Sequence, residues 1–362
     1  MKHSKIKFYP AFQPVAFLYG MGVKIRNWLF DWKLLPSEQF SIPVICVGNL
    51  AVGGTGKTPH VEYLIQMLSD KYKVAVLSRG YKRKTSGYIL ADETNTASDI
   101  GDEACQIKFK FPHVIIAVDK NRRRAMRHLL AMPKDVRPQV VLLDDGFQHR
   151  YIKPSFSIIV TDYSRLFVDD KLMPAGRLRE PVEFIKRADM IVVSKNPETV
   201  DLPCFLGIVN TMSRWLLQDA LYFTRIVYQP LEGVFPQECK PCKLENIRKE
   251  EDILLITGIA NPSLLIAEIR KYSDKVRVIS FADHHAFTKK DIQTIHVALS
   301  KMKSNNPLII CTEKDAARIR NNPLFPNEWK SRMYYIPIMI EFEMKASNQF
   351  EEVIIRHISS MI

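Results

Sequence analysis

The run Val47-Gly48-Asn49-Leu50-Ala51-Val52-Gly53-Gly54-Thr55-Gly56-Lys57-Thr58 is rich in glycine and ends in Gly-Lys-Thr, a pattern suited to gripping a nucleoside triphosphate. Glycines let the backbone curl so that successive N–H groups point at phosphate oxygens, Lys57 supplies a point charge, and the Thr58 hydroxyl can ligate magnesium. The expected phosphate cradle is Ala51, Val52, Gly53, Gly54, Thr55, Gly56, Lys57 and Thr58. The P-loop pattern asks for Gly at the first of these positions, where the chain has Ala51.

Other residue pairs could complete a site. Asp144-Asp145 closes an all-apolar run and has the form of a Walker B, whose carboxylates hold the same magnesium directly or through water. His149 lies just beyond and can line that pocket. A phosphoryl transfer to an alcohol needs a base, and Gly101-Asp102-Glu103-Ala104 offers two carboxylates, while Asp283-His284-His285 offers imidazoles to orient or charge-balance one. Arg177, Arg179 and Glu180 form a compact charged loop that fits a phosphate or a metal.

These residues need a scaffold that delivers them to one place. Ile42–Val47 reads as the strand before the glycine loop, and Pro59 followed by Val61, Leu64, Ile65 and Leu68 reads as the helix whose N-terminus faces the phosphates. Apolar runs ending in polar turns recur at 73–81, 114–119, 140–149, 156–162 and 190–195. Buried strands alternating with helices predict an α/β protein, a P-loop NTPase core with a doubly wound, mostly parallel sheet. Aromatic, strand-like segments between 203 and 234 read as a β-ribbon linker, and a second, smaller α/β lobe follows. The expected division is 1–35 as a basic amphipathic N-terminal segment, 36–205 as the P-loop core, 206–235 as the ribbon, and 236–362 as the C-terminal lobe.

Of the 362 residues, 46% are hydrophobic and 25% charged, ordinary for a globular protein, and the six cysteines are scattered as in a reducing compartment. Cys239-Lys240-Pro241-Cys242 has no second pair at zinc-finger spacing and reads as a surface turn. A net charge of +13 points to an anionic partner, with the stretch Lys120–His128 as either a binding or a solvated helix face. No helix-turn-helix, zinc-finger or RNP-like pattern is present, which disfavours nucleic acid. Residues 8–23 are apolar apart from Gln13, yet too short and too interrupted by Pro and Gly to span a bilayer, and no small-residue cleavage site marks a signal peptide. With Lys24, Arg26, Trp28 and Trp32 following, this segment fits either the membrane interface or a helix packed on its own domain.

Taken together, these motifs resemble the tetraacyldisaccharide 4'-kinases, the ATP-dependent lipid A 4'-kinases of Gram-negative bacteria. The resemblance rests on the glycine loop through Pro59, Leu77-Ser78-Arg79-Gly80-Tyr81, Gly101-Asp102-Glu103, Asp144–His149, Arg177–Pro181, Thr257–Pro262, Asp283-His284-His285 and Thr312-Glu313-Lys314-Asp315, in family order. The family's own loop lacks the first Gly. The resemblance implies phosphorylation of the 4'-hydroxyl of a tetraacyldisaccharide 1-phosphate at the cytoplasmic face of the inner membrane, by a peripheral or monotopic enzyme with no protein partner implied. It implies ATP and Mg2+ as cofactors, with Lys57 and Thr58 serving them and Asp144, Asp145 and Glu180 joining Thr58 at the metal. It makes Asp102 the base, paired with His284, and puts Arg79, Tyr81, Glu103, Arg122, His149 and Arg179 at substrate or phosphate. A P-loop nucleotide switch acting at the membrane is the alternative. Its partitioning-ATPase form wants a second lysine near Ala51 and Val52, and its GTPase form wants Asn-Lys-x-Asp, which the chain lacks. A non-enzymatic adaptor with a decayed loop is contradicted by the intact Lys57, Thr58 and Asp pair.

Overall fold

The computed structural model describes residues 8–215, 220–304, 306–343 and 346–362; the first seven residues of the expected N-terminal segment lie outside them. The first lobe runs through α1 (Gln13–Asp31), β1 (Val44–Gly48), α2 (Lys57–Ser69), β2 (Val74–Ser78), β3 (Ile89–Leu90), α3 (Ala97–Ile100), α4 (Asp102–Lys110), β4 (Ile115–Val118) and α5 (Arg122–Leu130). It continues through β5 (Val140–Asp144), β6 (Phe156–Asp162), β7 (Met190–Ser194), α6 (Leu202–Met212) and β8 (Leu221–Tyr228). The second lobe holds β9 (Glu232–Gly233), β10 (Asp252–Thr257), α7 (Ser263–Ile269), β11 (Lys275–Ser280), α8 (Lys289–Ser300), β12 (Leu308–Thr312), α9 (Glu313–Ile319), α10 (Asn327–Lys330) and β13 (Met333–Ile336). The chain ends with β14 (Ile338–Phe342) and α11 (Ser347–Ser359).

Strands β1, β2, β5 and β7 are buried along their whole length, which is why they read as unbroken apolar runs rather than alternating ones. They lie in a nine-stranded sheet ordered β14-β8-β7-β6-β1-β5-β2-β4-β3, parallel except for β3 and β14 at its edges. Helices cover both faces. Leu64, Ile65 and Leu68 of α2 pack on one face with Ile107 of α4, while Ala125, Met126 and Leu129 of α5 and Ile208 and Met212 of α6 pack on the other. The glycine loop leaves β1 between its neighbours β5 and β6, at the carboxyl ends of the strands, where open α/β sheets bind ligands. The second lobe repeats the plan on a five-stranded sheet, β11-β10-β12-β13-β9.

The expected boundary at 236 needs correction. β8 pairs in parallel with β7, so the ribbon segment is a strand of the first sheet, and its antiparallel mate is β14 from the end of the chain. Only Pro337 separates β13 of the second sheet from β14 of the first. Helix α11 then buries Phe350, Ile354 and Ile358 in the core with residues of α2 and α4, Phe350 meeting Tyr63 and Tyr222 edge to face and Phe342 at a tilt. Residues 338–343 and 346–362 therefore belong with the first lobe. Sequence distance hid this return, because nothing local distinguishes a strand that stays from one that crosses back.

Helices α4 and α9 face each other across the lobes and are tied at both ends. Arg318, late in α9, meets Asp102 at the start of α4 at 2.7 Å, and Glu313, at the start of α9, meets Lys110 at the end of α4 at 3.0 Å. Lys110 also reaches Glu62 of α2 at 2.6 Å.

If α11 seals the first lobe, Phe350→Ala should lower its unfolding free energy by about 3–5 kcal/mol, read from urea denaturation. A loss below about 1 kcal/mol would show that the helix is dispensable to that core.

Candidate active site

The glycine loop is braced before it turns. Val52 N–H donates to Arg177 O at 2.8 Å and Arg179 N–H to Leu50 O at 2.7 Å, forming a short antiparallel bridge through Ala51 and Leu178. Ala51 thus sits in paired backbone with no positive φ, so a side chain is tolerated where the general pattern has glycine. Gly53 and Gly56 carry the left-handed turns, at φ +109° and +94°. Asn49 donates to the Thr55 hydroxyl at 3.0 Å, Ser194 donates to Thr55 O at 2.5 Å, and Lys195 reaches Gly54 O, so the end of β7 holds the loop's far side. Helix α2 begins at Lys57, presenting its first N–H groups to the loop. The Thr58 hydroxyl makes no protein hydrogen bond among the described residues.

Asp144 and Asp145 end β5 in different states. Burial pushes the Asp144 carboxyl up to about 7, helped by the negative charges of Asp145 and Glu103 and opposed by Lys57 and Arg122. Among the described residues its carboxylate has one hydrogen bond, from Ser78 at 3.4 Å. Asp145 is only half-buried; desolvation pushes its carboxyl up, but Lys57 at 3.5 Å and Arg179 at 2.9 Å outweigh it and hold the carboxyl low. It adopts φ +47°, a strained conformation for a residue with a side chain. Arg122, also buried, donates from Nη2 to the carbonyls of both aspartates at 3.1 Å.

Two carboxylates, one of them poorly partnered, and a free hydroxyl are the hard oxygen donors that suit a small divalent cation. Among the described residues no group of three or more His, Cys, Asp or Glu side chains converges to hold a metal alone. A cation here would share its shell with substrate oxygens. Glu180, expected at the metal, has both oxygens engaged: Gln148 donates to Oε1 at 2.9 Å, while Arg187 at 2.5 Å and Asn27 at 3.3 Å donate to Oε2. It connects to Asp145 through Gln148, whose Oε1 accepts from Arg179 at 3.3 Å. His149 is kept neutral, its imidazole lowered to about 3 by burial and by the charges of Arg122, Arg26, Arg123 and Arg79, and its Nε2 is buried without a partner. Arg79 itself is exposed.

The second cluster crosses the lobes. Asp102 is the first residue of α4, and its Oδ2 lies 2.6 Å from His284 Nδ1 and 2.7 Å from Arg318 Nη2. Burial pushes the Asp102 carboxyl up, but these two bonds outweigh it and bring it to about 2. His284 stands at φ +60°, and its Nε2 is 3.1 Å from Lys314 Nζ. Lys314 also contacts Glu103 at 3.0 Å and Asp283 at 3.2 Å. The exposed Tyr81 sets its ring edge against His284, centroids 5.1 Å apart. His285, adjacent in sequence, faces elsewhere: it bonds Asp291 at 2.8 Å beside the cap of α8 and stacks on Phe281. Lys314 and Gln148 stand in motifs that carry the resemblance but have no expected role, and Arg318 lies outside those motifs, although it stands four residues after Lys314, on one face of a helix.

Helix α1 touches this region directly. Tyr19 donates to Arg179 O at 2.7 Å, Arg26 to Gln148 O at 3.1 Å, and Asn27 to Glu180. Its other side exposes Phe12, Val15, Phe17, Leu18, Ile25 and Trp28, with Trp32 just beyond. The helix is therefore packed on its own domain along one side and apolar toward solvent on the other. Among the described residues no helix is long and apolar enough to cross a membrane.

Fold and site together define a P-loop NTPase with a second lobe that contributes to the site. A family model for tetraacyldisaccharide-1-P 4'-kinases matches residues 8–359. A tetraacyldisaccharide 4'-kinase of Parabacteroides distasonis is 50% identical over 99% of this chain and 96% of its own length, and one of Bacteroides thetaiotaomicron is 46% identical over 98% and 94%. The structure of the "apo" form of LpxK from Aquifex aeolicus in complex with ATP shares the fold, with a TM-score of 0.73 at 24% identity over 96% of this chain and 98% of that one. The chain belongs to the tetraacyldisaccharide-1-P 4'-kinase family.

Because the folded state holds a proton on Asp144 up to about pH 7 while the unfolded chain releases it near pH 4, this carboxyl erodes stability as pH rises between those values. Without nucleotide and in the presence of a chelator, Asp144→Asn should match the parent near pH 4 and exceed it at pH 8 by on the order of 2–4 kcal/mol. Urea denaturation at both pH values checks this, and equal stability at pH 8 would contradict it.

Proposed function

We propose that this chain is an ATP-dependent lipid kinase transferring the γ-phosphoryl group to the 4'-hydroxyl of tetraacyldisaccharide 1-phosphate, at the cytoplasmic face of a bacterial inner membrane. The pairing of Asp102 with His284 across the lobes, in a protein with a phosphate loop and an aspartate pair, supports it most directly. A nucleotide switch would leave that Asp–His pair without a role. Family membership supports the substrate class, and the exposed apolar side of α1, flanked by Lys24 and Arg26, supports peripheral attachment to an anionic bilayer surface.

In this reading the loop amides and Lys57 bind the triphosphate, Lys57 exchanging Asp145 for phosphate oxygens. Thr58, Asp144 and Asp145 would hold Mg2+, and Glu180 would join only by sharing oxygens now given to Gln148, Asn27 and Arg187. When bound, the cation offsets charge on the phosphates. The sugar oxygen forms the new bond to the γ-phosphorus, the β–γ bridging P–O bond breaks with its electron pair leaving on ADP, and Asp102 accepts the hydroxyl proton. A carboxylate lowered to about 2 is a weak base, but it is fully ionised at neutral pH, and the hydroxyl becomes acidic as its oxygen bonds phosphorus. Asp102 therefore acts chiefly by orienting the hydroxyl and accepting its proton late. Arg179 and Arg122 stand at the Asp pair to steady the transferring group, and His149 and Tyr81 line the acceptor side.

The protein incubated with magnesium ATP and detergent-dispersed tetraacyldisaccharide 1-phosphate should add one phosphate to the lipid, read by mass. Nucleotide hydrolysis without lipid product would favour the switch. Asp102→Ala should keep ATP binding and lose about 100- to 10,000-fold in turnover; unchanged turnover would remove Asp102 from the role of base.

A further inference from the structure

Among the described residues the Asp102 carboxylate has two side-chain partners, His284 and Arg318, and both come from the opposite lobe. The Arg318 guanidinium spans two carboxylates, Nη2 on Asp102 Oδ2 at 2.7 Å and Nη1 on Asp315 Oδ1 at 2.9 Å. Asp315 is a fixed anchor. It is wholly buried, accepts from Gly258 N–H at 2.8 Å and the Thr312 hydroxyl at 2.7 Å, and sits in the first turn of α9. Gly258 leaves room for this pair, since a Cβ there would meet Asp315 Oδ1 at 2.6 Å and Arg318 Nη1 at 3.2 Å. Only arginine offers a planar fork able to hold two carboxylates at once with so little freedom.

We infer that Arg318 is a positioning residue for phosphoryl transfer: it clamps Oδ2 of Asp102 from the second lobe and leaves Oδ1 aimed at the acceptor hydroxyl. His284 shares Oδ2, and Oδ1 has no protein partner among the described residues, so both lobes must be together for the carboxylate to be held in one orientation. The inference rests on Asp102 as the base. The charged and titratable groups around that carboxylate are His284 and Asp283 from the β11–α8 connection, Lys314, Asp315 and Arg318 from α9, and Asp99, Glu103 and Cys105 near or on α4. Lys314 acts one step further out: its ammonium donates to His284 Nε2, so the ring's other nitrogen carries the proton given to Asp102.

The test compares pH–rate profiles of the full chain and of Arg318→Met and Arg318→Lys, with magnesium ATP and detergent-dispersed tetraacyldisaccharide 1-phosphate. Arg318→Met should lower kcat about 10- to 100-fold, less than loss of the base itself, with KM for ATP within about twofold. Its acidic limb should move up by about 1–3 pH units, because a cation that favoured the carboxylate is gone. Arg318→Lys should recover part of the rate. In an Asp102→Asn background, Arg318→Met should cost nothing more, since it acts through that carboxylate. Should Arg318→Met strand Asp315 and misfold, the double variant Arg318→Met/Asp315→Asn removes the stranded charge and carries the same expectations. An unmoved acidic limb, or losses that multiply with Asp102→Asn, would overturn the inference alone. A fully active Asp102→Asn enzyme would instead overturn the base reading, and this inference with it.

Discussion

Two consecutive carboxylates at the end of a strand buried on both faces impose a charge balance that organises much of the first lobe. Asp145 is neutralised by Lys57 and Arg179, and each compensation recruits the next. Arg179 leans on Gln148, Gln148 on Glu180, and Glu180 on Arg187 and on Asn27 of α1. Asp144 is left almost unpartnered and keeps its proton to about pH 7. Buried ions cost several kcal/mol apiece unless paired, so such a residue is retained at the expense of stability. A bound cation, as proposed above, would reverse that imbalance.

The second balance lies between the lobes. Helices α4 and α9 run in opposite directions with an ionic contact at each end, Asp102–Arg318 and Lys110–Glu313. Lys110 serves two carboxylates, and Glu313 is pushed up to about 7 by burial and by Glu62. Glu62 lies in the helix that begins with Lys57, so the same contact joins the phosphate loop's helix to the second lobe. The single residue Pro337 and the short passage from β8 to β9 are the covalent joins, and α11 buries the chain's return into the first core. The acceptor side is thereby attached to the donor side by charges that lie close to the chemistry.

The sequence carried the donor half plainly because its signals are local. Fully apolar strands, glycines at turns, and Lys-Thr at a helix start each describe their own backbone, and the strands fall within a residue or two of where periodicity places them. The pairing of Asp102 with His284, 182 residues apart, was named only through the family resemblance; neither segment shows a partner in its own pattern. What stayed hidden was made by tertiary contact alone. Nothing around Arg318 marks it except its spacing from Lys314 and Asp315, and nothing in Ile338–Phe342 announces that it crosses to the first sheet. Glu180 is a further case: its place beside Arg177 and Arg179 was legible, but its hydrogen bonds to Arg187, Gln148 and Asn27 come only with the fold.

The excess of +13 becomes intelligible once its location is known. Burial first, and then the charges of Arg122, Arg26, Arg123 and Arg79, bring the His149 imidazole down to about 3, which places these four arginines around one ring. Like charges gathered this closely create a positive field that favours an incoming anion. Among these four, Arg26 lies on α1, the helix whose far side is apolar and exposed, and Arg122 caps the aspartate pair. The cationic region therefore bridges the apolar helix and the phosphate loop. For the lipid acceptor proposed above, such a region offers arginines to phosphate beside a helix whose apolar side faces outward.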